Sequence, residues 1–240
     1  MLVKAKSPLY YQLAEIIIND IKIRNLQEND KIPTEREYCE KYNLSRATVR
    51  QALSYLEQKG YLYKEQGRGT FVSFRGIKQK LLKFYSFTEE MKKLGKVPKS
   101  KIISFKKING EDKILKELNL AGRETIFELE RLRIADNEVV MFEKTYMPVN
   151  KMNSLSKEKL LNNSLYEVLQ NDYGISFTKA IERFSVLVAD QEMAKILGVN
   201  IGSPLLKLQR WTYMGMEIVE YTISFIRGDM FKFEVELEEK

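Results

Sequence analysis

Residues 43–60, Asn-Leu-Ser-Arg-Ala-Thr-Val-Arg-Gln-Ala-Leu-Ser-Tyr-Leu-Glu-Gln-Lys-Gly, constrain this chain more than any other stretch, because they hold a short helix with both ends marked. Ser45 is a good N-cap, since its hydroxyl can accept a hydrogen bond from an unpaired amide of the first turn. Gly60 is a good stop, since glycine adopts the left-handed conformation just past a helix at no steric cost. Val49, Ala52, Leu53 and Leu56 recur at helical spacing and form one apolar stripe. Arg46 and Arg50 lie one turn apart beside that stripe, with the small Ala47 and Ser54 nearby. Such a helix buries one side and could set the other into a DNA major groove. Taken alone, an ordinary surface helix is the simpler reading.

The flanking residues reverse that preference. Pro33-Thr34-Glu35-Arg36-Glu37 contains the capping box T-x-x-E, which starts a helix at Thr34 that runs to about Tyr42. Downstream, Tyr61-Leu62-Tyr63 and Gly69-Thr70-Phe71-Val72 are strand-like and are joined by Lys64-Glu65-Gln66-Gly67-Arg68. A hairpin after a helix-turn-helix is the layout of a winged helix, with Arg68 at the wing tip beside the minor groove or a phosphate. Four words occur in order: Pro8-Leu9-Tyr10-Tyr11-Gln12, Lys31-Ile32-Pro33-Thr34-Glu35-Arg36-Glu37, Ser45-Arg46-Ala47-Thr48-Val49-Arg50-Gln51-Ala52-Leu53 and Gly67-Arg68-Gly69-Thr70-Phe71-Val72. In these words the chain resembles the GntR family of bacterial transcription regulators. The resemblance implies a double-stranded DNA partner contacted from Arg36, Ser45, Arg46, Thr48, Arg50, Gly67, Arg68 and Gly69.

With 240 residues, 44% of them hydrophobic, the chain can hold one large domain or two smaller ones. The single cysteine, Cys39, permits no intrachain disulfide and fits a core position in a protein of the reducing cytoplasm. Pro8 and the polar residues after it break any signal-peptide apolar region, and no run is long enough to cross a bilayer. Histidine is absent, which removes the commonest general base and zinc ligand. No metal or cofactor is expected, and the GntR branch with a metal-binding helical bundle is disfavoured. The net charge of +7 is unevenly spread. Residues 1–75 carry 13 basic and 9 acidic side chains, residues 76–110 carry 10 and 2, and residues 111–240 carry 17 and 22. A basic reader end suits contact with phosphates, while the lysines of 76–110 are equally those of a phosphate-facing segment or a solvated linker.

In chain order, a first helix begins near Pro8 with Leu13, Ile16, Ile17 and Ile21 as its stripe. The expected division is a winged helix-turn-helix domain over 1–73, a linker over 74–79 and a second domain over 80–240. In the second domain, helices are expected from Ser86, over 112–120, near 156–161 and 165–171, and after the cap Asp190. Strands are expected over 101–108, 123–135, 139–147, 175–188, 205–213 and 217–226, with a last one within 231–237. Strands joined by short turns, with a few helices, indicate an α+β domain on an antiparallel sheet. The order helix, glycine, strand, turn, strand occurs at 112–147 and again at 190–226, and in the second strand of each hairpin Glu143 matches Glu220. With Ser86-Phe87-Thr88-Glu89, Arg131-Leu132-Arg133, Asn163-Ser164-Leu165-Tyr166 and Arg227-Gly228-Asp229, this half resembles the UTRA ligand domain of the HutC branch, whose fold is like that of chorismate lyase. Within that branch the likeness is to repressors of amino-sugar utilisation.

Arg131 and Arg133, two apart on a strand, share a face with Phe127 and Leu129 and need anionic company there. A phosphate fits the arginine fork; pairing with Glu143, or with Glu128 or Glu130 at an edge, is the simpler solution. The start of the Ser86 helix offers amides to an anion, or is a plain capping box. The resemblance implies that Ser86, Phe87, Thr88, Arg131 and Arg133 cradle a phosphate, while Glu143, Ser164, Tyr166 and Glu220 face a sugar. Ile226 departs from it, because the amino-sugar sensors carry tyrosine there. The function expected is a ligand-responsive DNA-binding regulator, a repressor that binds a palindromic operator as a homodimer through its acidic second domain. An amino-sugar 6-phosphate is the leading effector, with another small anion or an unphosphorylated metabolite as the alternative. An enzyme in the lyase-like half is disfavoured by the lack of histidine, of cysteine in that half and of any metal-ligand cluster.

Overall fold

Two capping arrangements fix the entry of the helix pair that follows the first helix. Helix α1 (Leu9–Ile23) precedes α2 (Glu35–Tyr42) and α3 (Arg46–Gln58). Thr34 Oγ1 accepts from the Glu37 amide at 3.3 Å, and the Glu37 carboxylate accepts from the Thr34 amide at 2.7 Å, completing the capping box. Asn43 ends α2 in the left-handed conformation at φ 51°, and Ser45 Oγ accepts from the Thr48 amide at 3.2 Å to start α3. Val49, Ala52, Leu53 and Leu56 are buried against Leu13, Ile17 and Tyr38. Strands β1 (Leu62–Glu65) and β2 (Gly69–Val72) pair antiparallel to form the wing. Gly69 sits at φ +134°, where an added Cβ would come within 2.6 Å of Lys31 Cε. A side chain there would strain the backbone and displace that lysine.

The computed structural model describes residues 7–24, 26–74, 76–80, 84–161 and 163–237, with the side chain of Lys22 also outside the description. It divides into two units, Met1–Arg75 and Gly76–Lys240. In the second unit, β4 (Pro98–Asn109), β5 (Thr125–Ala135), β6 (Glu138–Pro148), β7 (Lys179–Val188), β8 (Pro204–Met214) and β9 (Glu217–Arg227) form one antiparallel sheet in the order β4-β5-β6-β9-β8-β7. Helices α4 (Phe87–Lys93), α5 (Asp112–Glu117), α6 (Lys157–Leu161), α7 (Leu165–Tyr173) and α8 (Gln191–Leu197) accompany it. One sheet face packs Phe127, Leu129 and Met147 on Leu165, Val168 and Leu169 of α7. The opposite face carries Ile126, Tyr146, Trp211 and Tyr221 against Leu115 of α5.

Two expectations are corrected here. Residues 77–79 belong to no linker: β3 (Ile77–Lys80) pairs parallel with β10 (Phe231–Glu234), so the last strand lies outside the antiparallel sheet. The apolar side chains of Ile77 and Phe231 hold this pair against Met141, Leu208 and Ile226. The internal repeat is real but its register differs. Asp112, Thr125 and Glu138, which open α5, β5 and β6, correspond to Gln191, Pro204 and Glu217, a constant offset of 79 residues. A register shift falls at the same place in each hairpin, between Arg133 and Ile134 and between Thr212 and Tyr213. Glu143 therefore corresponds to Thr222, not to Glu220, and Arg131 corresponds to Arg210. The lysines of 76–110 gain a structural explanation too: Lys99, Lys101, Lys106 and Lys107 are exposed on the edge strand β4, where charge discourages pairing with another chain. No helix among the described residues is long and apolar enough to cross a membrane.

Candidate functional site

The sheet register places Arg131, Glu143, Ser224 and Leu208 abreast across β5, β6, β9 and β8. Above this floor lie the openings of α4 and α7 and the β3–β10 strip, and together they enclose a cleft of about 630 Å³, counted out to its mouth. Ser86, Phe87, Thr88, Arg131, Arg133, Glu143, Ser164, Tyr166 and Glu220, expected from the sequence as effector residues, all line it. Their convergence follows from strand alternation on the floor and from two helix starts at the rim. Ser86 Oγ accepts from the Glu89 amide at 3.2 Å and Ser164 Oγ from the Glu167 amide at 3.1 Å, so both serines cap their helices. Each hydroxyl retains a proton to donate.

Glu143 Oε2 accepts from Arg131 Nη2 at 3.0 Å and from Arg133 Nε at 2.8 Å. All three residues are under 10% exposed. The simple pairing expected from spacing is thus present, but it leaves two guanidiniums sharing one carboxylate. Glu130 takes no part, being paired with Lys144 at 2.8 Å. Arg133 also donates to Ser100 Oγ, its guanidinium lies 5.0 Å from the Phe87 ring centre, and Arg131 Nε meets no acceptor among the described residues. Burial alone would raise the Glu143 carboxyl, but Arg133 and Arg131 outweigh it and hold the group below its ordinary value. Burial, and next the charge of Arg131, pulls the Arg133 guanidinium down to about 10.

Arg210 was not among the expected residues. It lines the cleft at 8% exposure, donates from Nε to Glu182 Oε1 at 2.7 Å, and from Nη1 to the Tyr85 carbonyl at 3.0 Å and the Tyr166 hydroxyl at 3.1 Å. The signal that would have found it is the 79-residue repeat, which makes it the counterpart of Arg131. Glu220 Oε1 accepts from the Thr222 hydroxyl at 2.7 Å, whereas its Oε2 has no partner among the described residues. Ile226 is fully buried beside Met141 and Leu208, so this end of the cleft is apolar. The cleft therefore has a cationic corner at Arg131 and Arg133 and an unmet carboxylate oxygen elsewhere in its wall. Among the described residues no cluster of histidine, cysteine or carboxylate side chains could hold a metal ion.

In the first unit, Arg36, Arg46, Arg50 and Arg68 are all exposed. Arg50 Nε lies 2.8 Å from Glu35 Oε2, and Lys64 Nζ lies 3.8 Å from the other oxygen of that carboxylate. Arg36 pairs with Glu40 at 2.8 Å, and Arg68 pairs with Glu65 at the wing. Ser45 and Thr48 hydroxyls lie 2.9 Å apart at the start of α3, and Gly67 and Gly69 shape the wing turn with φ of 75° and 134°. The pairing of Arg50 with a residue of the preceding helix had no sequence signal beyond charge.

Replacing Glu143 by glutamine should destabilise the second unit by about 3–5 kcal/mol at neutral pH, because two buried guanidiniums lose their counter-charge. The folded Glu143 carboxyl titrates below the unfolded value of 4.5, so its contribution is complete above that value and is lost as pH falls through the folded one. Melting temperatures taken across acidic pH should therefore fall more steeply for the parent than for Glu143→Gln. Parallel acid limbs would contradict the pairing.

Residues 9–72 match the family described as bacterial regulatory proteins, gntR family, and residues 93–232 match the UTRA domain. The HTH-type transcriptional repressor NagR of Bacillus subtilis (strain 168) is 35% identical over 227 residues, covering 94% of this chain and 93% of that protein. The mannosyl-D-glycerate transport/metabolism system repressor MngR of Escherichia coli (strain K12) is 26% identical over 227 residues, 94% of each chain. The crystal structure of PhnF from Mycobacterium smegmatis aligns with a TM-score of 0.65 at 25% identity, covering 97% of this chain and all of that one. NagR and MngR are named as repressors and the first match is a family of regulatory proteins, not of enzymes, which removes the lyase-like alternative. A winged DNA reader joined to a ligand-binding sheet domain places the chain in the GntR family of bacterial transcriptional regulators, in its UTRA-bearing HutC branch.

Proposed function

We propose that this regulator is a cytoplasmic homodimeric repressor released from a palindromic operator by a sugar phosphate, with an amino-sugar 6-phosphate as the leading effector. The observation that carries the effector class is the shared carboxylate: Arg131 and Arg133 are both bonded to Glu143, and donors left over at that corner, Arg131 Nε among them, call for an anion. Phosphate oxygens match the guanidinium forks, and Thr88 and the Ser86 hydroxyl stand at the rim of the same cleft. Glu143, Glu220, Ser164 and Tyr166, with Ser224 and Thr222, supply the acceptors and donors that sugar hydroxyls need. NagR and MngR are repressors, the latter of a mannosyl-D-glycerate system, which supports a sugar-related anion. The MngR name also favours a second reading, a sugar bearing a carboxylate, which the same arginines would hold.

On DNA, Arg46 and Arg50 read the major groove from α3, with Ser45 and Thr48 at its start. Arg36 helps from α2, and Gly67, Arg68 and Gly69 form the wing contact. The Arg50–Glu35 pair at 2.8 Å opens to release the guanidinium to a base or phosphate. One reader spans too few base pairs for useful specificity, so two are related by a dyad. The dimer contact we assign to edge strand β7, where Val186 and Val188 are 81% and 64% exposed.

Fluorescence anisotropy on an operator selected from random duplexes tests the effector. Glucosamine 6-phosphate should lower operator affinity at least about tenfold, and glucosamine should not. Arg133→Ala should remove that response and keep operator binding. An equal response to the free sugar would overturn the anion assignment. At fixed salt, Arg50→Ala should cost roughly 1–3 kcal/mol per half-site, and parent-like binding would contradict the docking. Light scattering should give a dimer mass for the parent and a lower mass for Val186→Glu; a monomeric parent at micromolar concentration would refute the assembly.

A further inference from the structure

Gln79 lies outside both family matches, which cover residues 9–72 and 93–232, yet it lines the cleft with Arg131 and Glu220. It stands on β3, which opens at Ile77, just past the boundary between the two units at Arg75 and Gly76. Alternation along β3 buries Ile77 and Gln79 and exposes Lys78 and Lys80. Ile77 serves the apolar core, and a hydrocarbon side chain at 79 would have served it equally. Instead the position holds an amide at 3% exposure, and its nitrogen meets no acceptor among the described residues. Its polar neighbour is Tyr85, whose hydroxyl donates to Glu182 at 2.7 Å; the Gln79 amide lies near enough to work against the burial that raises the Tyr85 phenol, but not in hydrogen-bond geometry. Arg131 Nε and Glu220 Oε2 are the other cleft-lining groups in this condition. Buried polar groups without partners are costly, and two donors and one acceptor in the wall of one cleft are relieved when the cleft is occupied.

We propose that Gln79 donates a hydrogen bond to the effector and so ties the filled cleft to the strand that leads out of the DNA-reading unit. The inference rests on this cleft being the effector site. What it adds is a contact from β3, the strand that follows the boundary between the two units. With the cleft empty, β3 is held by its parallel pairing to β10 while carrying an unmet donor. With an acceptor oxygen in place, the same strand gains a second attachment. An effector that binds the attached state better shifts the population toward it.

The test uses the full chain with Gln79→Met, which keeps the length of the side chain and removes the amide. In melts without sugar, Gln79→Met should equal or exceed the parent in melting temperature, because an unmet buried donor is gone. In calorimetry it should bind glucosamine 6-phosphate about tenfold more weakly than the parent does. Saturating glucosamine 6-phosphate should also change operator affinity less in the variant than in the parent. Parent-like affinity with a parent-like change would overturn the inference while leaving the effector assignment standing. A lower melting temperature without sugar would overturn it as well, by making Gln79 a structural residue. If glucosamine 6-phosphate binds neither protein, that effector assignment falls and the sugar-free melt decides: a more stable variant supports the unmet donor, and a less stable one overturns it.

Discussion

Glu143 is the hinge of the second unit's electrostatics. It stands on β6 between Arg131 and Arg133 of β5 and faces Ser224 of β9, so it sits where the two hairpins of the repeat meet. Taking three charges out of water costs several kcal/mol per ion, and the carboxylate offsets only part of it. The remaining positive charge is what makes the cleft more than a gap between helices. The rest of the wall is arranged around it: Phe87 under Arg133, the capped starts of α4 and α7 at the rim, and Arg210 held separately by Glu182. An apolar end at Met141, Leu208 and Ile226 keeps the arrangement dry on one side.

Much of this was legible because it is local. The capping box at Thr34, the cap at Ser86, the stop after α3 and the glycines of the wing are each decided within a few residues. Arg131 and Arg133 were legible from alternation, which puts both on the face of Phe127 and Leu129. Arg210 was not, because its partner Glu182 lies on another strand and nothing nearby in sequence marks it. Gln79 was hidden in a lysine-rich stretch with no sustained period, and only the pairing of β3 with a strand from the far end of the chain buries it. The match of Glu143 to Glu220 followed like residues, whereas the backbone repeat follows equal offsets and matching register shifts. The two carboxylates share the cleft, but not by symmetry.

Several exposed cations of the first unit are already paired. Glu35 engages Arg50 and Lys64, and Glu65 engages Arg68, so these cations are paired at the surface where such bonds are weak. In the proposed docking, exchange for phosphates or bases costs little, while the buried stripe of α3 keeps the helix in place. The second unit spends its charge differently. Arg131 and Arg133 are buried and share one carboxylate, which suits capture of a small anion rather than salt-sensitive contact with a polyanion.

The central claim, that two guanidiniums sharing one carboxylate form a dianion site, is most directly tested on the phosphorus nucleus. A free sugar phosphate loses its second proton near a pKa of about 6. Bound between Arg131 and Arg133, glucosamine 6-phosphate should keep the 31P shift of the dianion well below that pH, so its bound pKa should be lower than its free one. A bound ester that titrates like the free one would contradict the account.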